Sequence, residues 1–535
     1  MNLQWIDSCI SPFASAAPTV RLIDATDRPY EQAVAAARTC YASQGVVTAD
    51  QVSGQGLATQ KQTDRIQLRD KIAQSTFKAG HHTTLQHGQV SFALDGVSRQ
   101  FVWSFLHNHP FYNSEQVSQR YVEVRSDRVA VPQLPATAMA VYQRCVTEQM
   151  ADYQALIELL TPVAAAEYAA LFTARAKRPQ RWQATIHKRA QEVARYVLPV
   201  ATQTWMVHTV SVLTLLRYIR LCECGDTSAE ARYVIGEMAR QLYAVDPLLA
   251  QLPVEPLPEE GPEAHNSAPH LDFVASRAMA SEFDEALGGK TAVLLDRFVS
   301  NPRRVADAVR QVLGQPRGAL SDEAAIGLAL DPAKNHLLGG TLNTTAHHAL
   351  GRTLHAAHYV FAKSLSHAAD SQDQRHRLTP ASRPTLPAYL HDQPDYVVPR
   401  LVAHAGGQVE RRYRTSMTRT WSAIATLRNL GVSPQWQAYL LPNSVRLRFT
   451  ESCDLAALRH KHAMRLCYNA QEEIWQASMD EAGAIAAVEP EIGQYLLPPC
   501  AIRHAAGLRP YCPEGDRYCG VPVWTLPRSA WQRLL

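Results

Sequence analysis

Arg375, His376 and Arg377 stand together in DSQDQRHRLTP (370–380). A solvated face would scatter such charges and a core would exclude them. The triplet reads as a surface basic patch or as part of a site. A second group lies in SEQVSQRYVEV (114–124), where Glu115, Ser118 and Arg120 share a loop leading into a strand. A hydroxyl and a guanidinium two residues apart can converge on a phosphate. The plainer alternative is a solvated loop whose arginine pairs with a carboxylate. A third group is in PPCAIRHAAGLRPYCPEGDRYCGVPVW (498–524), with Cys500, His504, Cys512 and Cys519. Three thiolates and an imidazole make a tetrahedral zinc set, and an iron–sulfur cluster could use the same thiolates. Unrelated free thiols are the alternative.

These groups need elements to position them. The run LPVEPLPEEGPEAHNSAPH (252–270) has little to bury and reads as a linker. It divides the chain nearly in half, and the halves repeat one another. RYVLPVATQTW (195–205) resembles AYLLPNSVRLR (438–448), and HTTLQH (82–87) resembles NTTAHH (343–348). LLRYIRLCECGDTSAEAR (215–232) resembles LRHKHAMRLCYNAQEEIW (458–475). Ser98 precedes His107-Asn108-His109 by nine positions, as Ser366 precedes Arg375-His376-Arg377. Cys222 and Cys467 occupy matching helical positions, which predicts burial rather than ligation.

Apolar spacing predicts helices at 30–43, 136–175, 187–250, 397–430 and 451–482. QVSFALDGVS (89–98) reads as a strand, and RYVEV (120–124) with RVAVPQL (128–134) as a hairpin. The expected fold class is α+β: two repeated domains, each a small, mostly antiparallel sheet with a helical layer. The expected divisions are 1–251, the linker 252–270, a second half 271–490 and a cysteine-containing tail 491–535.

The bulk properties narrow the function class. The chain has 535 residues, 46% hydrophobic, enough for sizeable cores. A net charge of +4 demands neither nucleic acid nor a membrane surface. No apolar stretch approaches a membrane helix, and the first residues lack the basic region of a signal peptide. The expectation is a cytoplasmic protein whose ten cysteines are free or metal-bound.

Taken together, ARTCYAS, GHHTTLQHGQVSF (80–92), SQRY, YVLP and SAEAR in the first half resemble the flavin-dependent thymidylate synthases. So do RHR, YLLP and RLCYNAQEEIW in the second. The resemblance implies a tandem of two such domains with complementary losses. The first half has His107-Asn108-His109 in place of the basic triplet but keeps Ser118-Gln119-Arg120-Tyr121 and Arg232. The second keeps the triplet, lacks the serine–arginine loop, and has Trp475 where the first has Arg232. One composite site is implied. Arg375, His376 and Arg377 would hold FAD, with Gln471 and His87 near the cofactor. Ser118, Arg120 and Glu115 would hold the nucleotide phosphate, and Arg232 the uracil, as the catalytic group. A guanidinium at the ring carbonyl would stabilise negative charge there as the C5 carbon attacks. Methylene tetrahydrofolate would donate the carbon and NADPH would reduce the flavin. The product would be a C5-methylated pyrimidine nucleotide, from dUMP or a relative. The resemblance further implies a homodimer that rebuilds a pseudo-tetramer. Two other readings fit the same residues. One is a catalytically inactive flavin- or nucleotide-binding paralogue with a scaffold or regulatory role. The other is a changed nucleotide modification on the same scaffold.

Overall fold

The computed structural model describes residues 4–172, 177, 179–225, 227–253 and 272–535. Nearly all of the expected linker lies outside the described residues. Two compact units emerge. One draws on Met1–Ser118, Val124–Gln143 and Val200–Leu271, the other on Gln119–Glu123, Arg144–Pro199 and Asp272–Leu535.

The first unit holds a four-stranded antiparallel sheet in the order β1-β2-β4-β3. Its strands are β1 (Thr19–Ala25), β2 (Gln89–Ser98), β3 (Asn113–Gln116) and β4 (Gln203–Ser211). Strand β2 alternates as its sequence predicts: Val90, Phe92 and Leu94 are buried, and their neighbours are more exposed. Helix α1 (Pro29–Thr39) overlaps the expected 30–43 but ends four residues earlier. Helix α2 (Arg99–His107) follows β2 directly, and α5 (Val212–Glu223) follows β4. Helix α6 (Ala229–Val245) packs against α5 and β1.

The second unit repeats this plan with one strand fewer. Strands β5 (Ala292–Arg297), β6 (His358–Ser366) and β7 (Arg446–Asp454) form an antiparallel sheet in the order β5-β6-β7. Details of register recur. Ser98 pairs with Gln203, and Ser366 with Arg446. The first strand of each sheet slips once, at Leu22/Asp24 and at Leu294/Asp296. Among the described residues strand β3 has no counterpart strand; the bridge from Ala381 to Glu451 stands beside β7 instead. Helix α7 (His367–Asp373) follows β6, and α9 (Leu455–Arg465) follows β7. Helix α10 (Glu472–Val488) packs on β5, α7 and α9. Three more helices complete the frame used below: α3 (Ala136–Leu171), which runs from one unit into the other, α4 (Gln183–Ala194) and α8 (Gly407–Asn429).

The mixed helix and antiparallel-sheet class is as expected. Three local expectations need correction. The hairpin at 120–134 is absent: this stretch is irregular, with Val129 and Val131–Pro132 bonded to other segments. Residues 203–211, inside the expected helix 187–250, and 446–454, of which 451–454 lay in the expected helix 451–482, are strands. Short apolar runs satisfy both periods, and here pairing with β2 and β6 decides. No described helix is long and apolar enough to cross a membrane.

Candidate functional site

The basic triplet is set on a rigid turn. Ser366 caps α7 by accepting from the Ala369 amide at 3.0 Å. Glu473 of α10 accepts from the Ser366 amide and from its hydroxyl, each at 2.6 Å. After α7 the chain turns back: the His376 amide donates to Asp373 O at 2.8 Å. The Thr379 amide and hydroxyl both donate to His376 O, at 3.1 and 2.9 Å. Arg375 and Arg377 are thereby exposed on either side of a half-buried imidazole.

Below the turn lies a charged core. Lys363 and Lys461, both fully buried, face Asp373, Glu451 and Glu481. Lys363 Nζ reaches Asp373 Oδ2 at 2.8 Å and Glu481 Oε1 at 2.9 Å. Burial opposes ionisation of Asp373 and Glu481, but the two ammoniums outweigh it and hold both below the ordinary carboxylate range. At Glu451 burial prevails and its carboxyl is raised. The His462 imidazole meets Glu481 at 2.9 Å.

The turn opens on a cavity of about 320 Å3. Arg375, His376, Arg377, Arg459, His460 and Asn343 line it, and the described lining contains no carboxylate. Burial lowers Arg459 to about 10. Burial, then Arg465, holds His376 well below its ordinary value, so its ring is neutral at physiological pH. Its Nε2 is buried and has no hydrogen-bond partner. Gly351 completes the wall: a Cβ there would come within 1.8 Å of Thr345 O, so no side chain fits. A neutral donor or acceptor awaiting a partner, among guanidiniums and a bare backbone, suits a large anionic, ring-bearing ligand.

The matching triplet of the first half has a different fate. His109 Nε2 meets Tyr218 OH at 2.7 Å, and its Nδ1 accepts from the Phe111 amide at 3.0 Å. Burial, then Arg217, lowers it to about 4. His107 packs edge-on against Trp103. These histidines are bound into their own unit.

The other expected site residues divide between the units. His87 is exposed beside the 82–86 turn of the first unit, and Glu115 is exposed on β3. Ser118 belongs to the first unit and Arg120 to the second. Arg232 donates to the Cys222 carbonyl, and its guanidinium lies 4.5 Å from the Trp5 ring centroid. In the second unit, residues from both sequence halves meet. Arg120 Nε donates to Glu192 at 2.5 Å, and its NH2 group donates to Asn469 O at 2.7 Å. Burial would raise Glu192, but Arg120, Arg189 and Arg195 hold it at about 2. Gln471 Oε1 accepts from Arg195 at 3.2 Å and from Gln372 at 2.7 Å. Glu472 opens on a pocket of about 20 Å3 bordered by Arg189, Arg400, Leu534 and Leu535. Burial lifts its carboxyl to about 7 against the pull of Arg400 and Arg533.

Sequence reasoning missed Arg459, His460, Lys363, Lys461 and Arg533. The string LRHKHAMR held the signal for three of them: five basic residues, histidines included, within one α9 repeat segment. Nothing in the sequence pointed to Arg533. Its guanidinium is buried, donates to Tyr468 O at 2.8 Å and Ala470 O at 2.9 Å, and lies 5.7 Å from the Trp475 ring centroid.

The expected zinc set is not assembled as such. His504 sits edge-on to Tyr511, with ring centroids 4.8 Å apart. Among the described residues, no three His, Cys, Asp or Glu side chains are grouped to hold a metal ion. None of the ten cysteines forms a disulfide.

Comparison with known proteins now bears on this arrangement. The family model described as "Thymidylate synthase complementing protein" matches residues 21–248 and 293–491. Flavin-dependent thymidylate synthases of Mycobacterium bovis (strain BCG / Pasteur 1173P2) and Mycobacterium tuberculosis (strain ATCC 25618 / H37Rv) are each 32% identical over 170 residues, 31% of this chain. The chain spans 63% of the length of these relatives. The enzyme of that name from Clostridium tetani is 26% identical over 231 residues, covering 43% of this chain and 84% of the relative. A solved structure of the UMP/dUMP methylase PolB from Streptomyces cacaoi, bound with 5-Br dUMP, is 19% identical. It aligns over 44% of this chain and 98% of its own, with a TM-score of 0.29. The two matched segments take in well over half of the residues, and the chain belongs to the thymidylate synthase complementing protein family, that of the flavin-dependent thymidylate synthases.

Proposed function

We propose that this protein is a flavin-dependent methylase of a pyrimidine nucleotide, dUMP or a close relative, with two diverged copies of the family domain serving one composite site. Methylene tetrahydrofolate is the carbon donor and NADPH the reductant in this reading. The flavin, when bound, supplies the redox chemistry. The chain's own residues bind, orient and balance charge. Arg375, Arg377 and Arg459 face the cofactor's anionic groups, and His376 Nε2 offers it a neutral hydrogen bond. Arg120 and Ser118 hold the nucleotide phosphate, and Arg232 the uracil, with Glu115 at the entrance. His87 and Gln471 stand on the cofactor side. A homodimer would complete the pseudo-tetramer.

The observation that carries the reading is the cavity beside residues 375–377, with its cationic lining and the unpartnered His376 Nε2. Support for a site drawn from both sequence halves comes from Arg120 and Arg195, which bond to Asn469 and Gln471 of the other half. The test is flavin content of the purified full-length chain. About one flavin per chain is expected for one composite site at the 375–377 triplet. A colourless protein that FAD does not reconstitute overturns the proposal. Rescue of a thymidine-requiring strain then separates thymidylate synthesis from another nucleotide modification.

A second reading is a flavin-binding paralogue without catalysis. The engagement of Arg232 by Cys222 and Trp5, and Trp475 at the repeat position, favour it. Flavin binding without turnover of any pyrimidine nucleotide would decide for it.

A further inference from the structure

Each unit sets an arginine against a tryptophan, and the two pairs are built the opposite way round. In the first unit Arg232 of α6 donates to the Cys222 carbonyl of α5, and its guanidinium lies 4.5 Å from the ring centroid of Trp5. In the second unit Trp475 of α10 takes the matching carbonyl: its Nε1 donates to Leu466 O, just beyond α9, at 3.2 Å. The guanidinium comes from far along the chain, as Arg533, 5.7 Å from the Trp475 ring centroid. Segment 531–535 therefore delivers to the second unit the group that its own helix lacks.

The segment is fastened as a strap. Trp531, Arg533 and Leu535 are buried, in the alternation of an extended chain. Arg528 anchors the near end by donating to Ala482 O at 3.1 Å and to Gly493 O and Leu496 O, each at 2.8 Å. Tyr468 OH donates to Gln532 O at 3.3 Å. Among the described residues, the Arg533 guanidinium bonds only to main-chain carbonyls, those of Tyr468, Ala470 and Leu535. A buried cation without a carboxylate is costly. Burial lowers Arg533 to about 10, so it still carries its charge at neutral pH.

Leu534 and Leu535 form one wall of the pocket on which Glu472 opens, and Arg189, Arg400, Tyr196 and Gln471 stand around it. The space left is about 20 Å3, room for about one water. Positive charge is in surplus there. Arg189 bonds to Glu192 through one guanidinium nitrogen, and Arg400 to Glu472 and Gln476 through one. Each keeps further N–H groups for an anion. Glu472, raised to about 7, carries only part of a charge at neutral pH. None of this pocket's described lining residues lines the 375–377 cavity.

We propose that residues 531–535 are a built-in occupant of a second anion site, and that displacing them opens it to a pyrimidine nucleotide. Arg189 and Arg400 hold the phosphate, and the ring takes the place of Leu534 and Leu535. The nucleotide class rests on the function proposed above; the strap and its pocket do not.

The test counts bound dUMP by equilibrium dialysis in the full-length chain and in a variant lacking residues 531–535, with flavin content measured on both. The deletion variant should bind about one more dUMP per chain than wild type, with flavin unchanged. Adding Arg189→Ala and Arg400→Ala to the deletion should remove the extra site. Equal dUMP counts in the two chains overturn the proposal, as does an extra site that survives both substitutions. Arg533→Ala keeps the chain length and loosens the strap. Where the deletion variant does not fold, a dUMP count in Arg533→Ala equal to that of wild type overturns the proposal instead. A wild type that holds neither flavin nor dUMP defeats the function proposed above but not the strap, because the quantity read is the gain on deletion.

Discussion

Glu473 accepts hydrogen bonds from both the amide and the hydroxyl of Ser366, each at 2.6 Å. Glu230 does the same for Ser98, at 2.8 and 2.5 Å. In both units the serine ends a central strand, caps the next helix and is held by a buried glutamate. Two positions after that glutamate stands Arg232 in one unit and Trp475 in the other. The relationship fixes the alignment of the repeats more firmly than sequence identity does.

Ser366→Ala removes a helix cap and a donor to a buried carboxylate. The cost should be about 2–4 kcal/mol, from about 1 for the cap and 1–3 for the less satisfied carboxylate. Ser98→Ala should cost a similar amount. Urea unfolding checks both, and a Ser366→Ala variant as stable as wild type would show that Glu473 is satisfied by other means.

Arg377→Ala should weaken flavin binding by roughly 10- to 100-fold, the worth of one charge-assisted hydrogen bond. Arg120→Lys should spare flavin and weaken nucleotide binding by a similar factor, since lysine keeps the charge but loses the fork. Flavin fluorescence and nucleotide titration calorimetry read the two separately. If neither affinity moves, the composite site is wrong.

Glu472 makes a pH prediction. Its carboxyl is raised from 4.5 to about 7, so the folded chain holds a proton there that the unfolded chain releases. Stability from this group is therefore full below about pH 4.5, falls as pH rises towards about 7, and is flat above. Glu472→Gln should remove that fall and stabilise the protein at pH 8 by on the order of 2–3 kcal/mol. Glu192 acts in the opposite sense and at lower pH. Held at about 2, it contributes stability above its unfolded value of 4.5 that is lost as pH falls through about 2. Thermal melts of wild type and Glu472→Gln from pH 2 to 8 separate the two windows.

Lys461→Met leaves Glu451 and Glu481 with one ammonium instead of two. Breaking a buried ion group in this way should cost about 3–5 kcal/mol. Because Asp373 also receives the His376 amide, the triplet turn should loosen and flavin affinity fall with stability. A variant as stable as wild type with undiminished flavin affinity would remove the charged core from the account of the site.

The sequence by itself determined the α+β class, the repeat and the family strings, because each is a matter of local residue order and spacing. The alternation of β2 and the Ser98/Ser366 offsets are legible for that reason. It did not determine that 203–211 and 446–454 are strands, since their short apolar runs fit either period until β2 and β6 pair with them. Nor could it tell the fates of the two triplets apart. His107-Asn108-His109 and Arg375-His376-Arg377 hold equivalent positions in the sequence. Tertiary packing gave His109 the Tyr218 hydroxyl and left His376 on the wall of a cavity, its Nε2 buried and without a hydrogen-bond partner. Tertiary structure alone brought Arg120 to Asn469, Arg533 to Trp475 and Asn469 to Arg517. Burial and charge act through space, and those partners are separated by dozens to hundreds of residues along the chain.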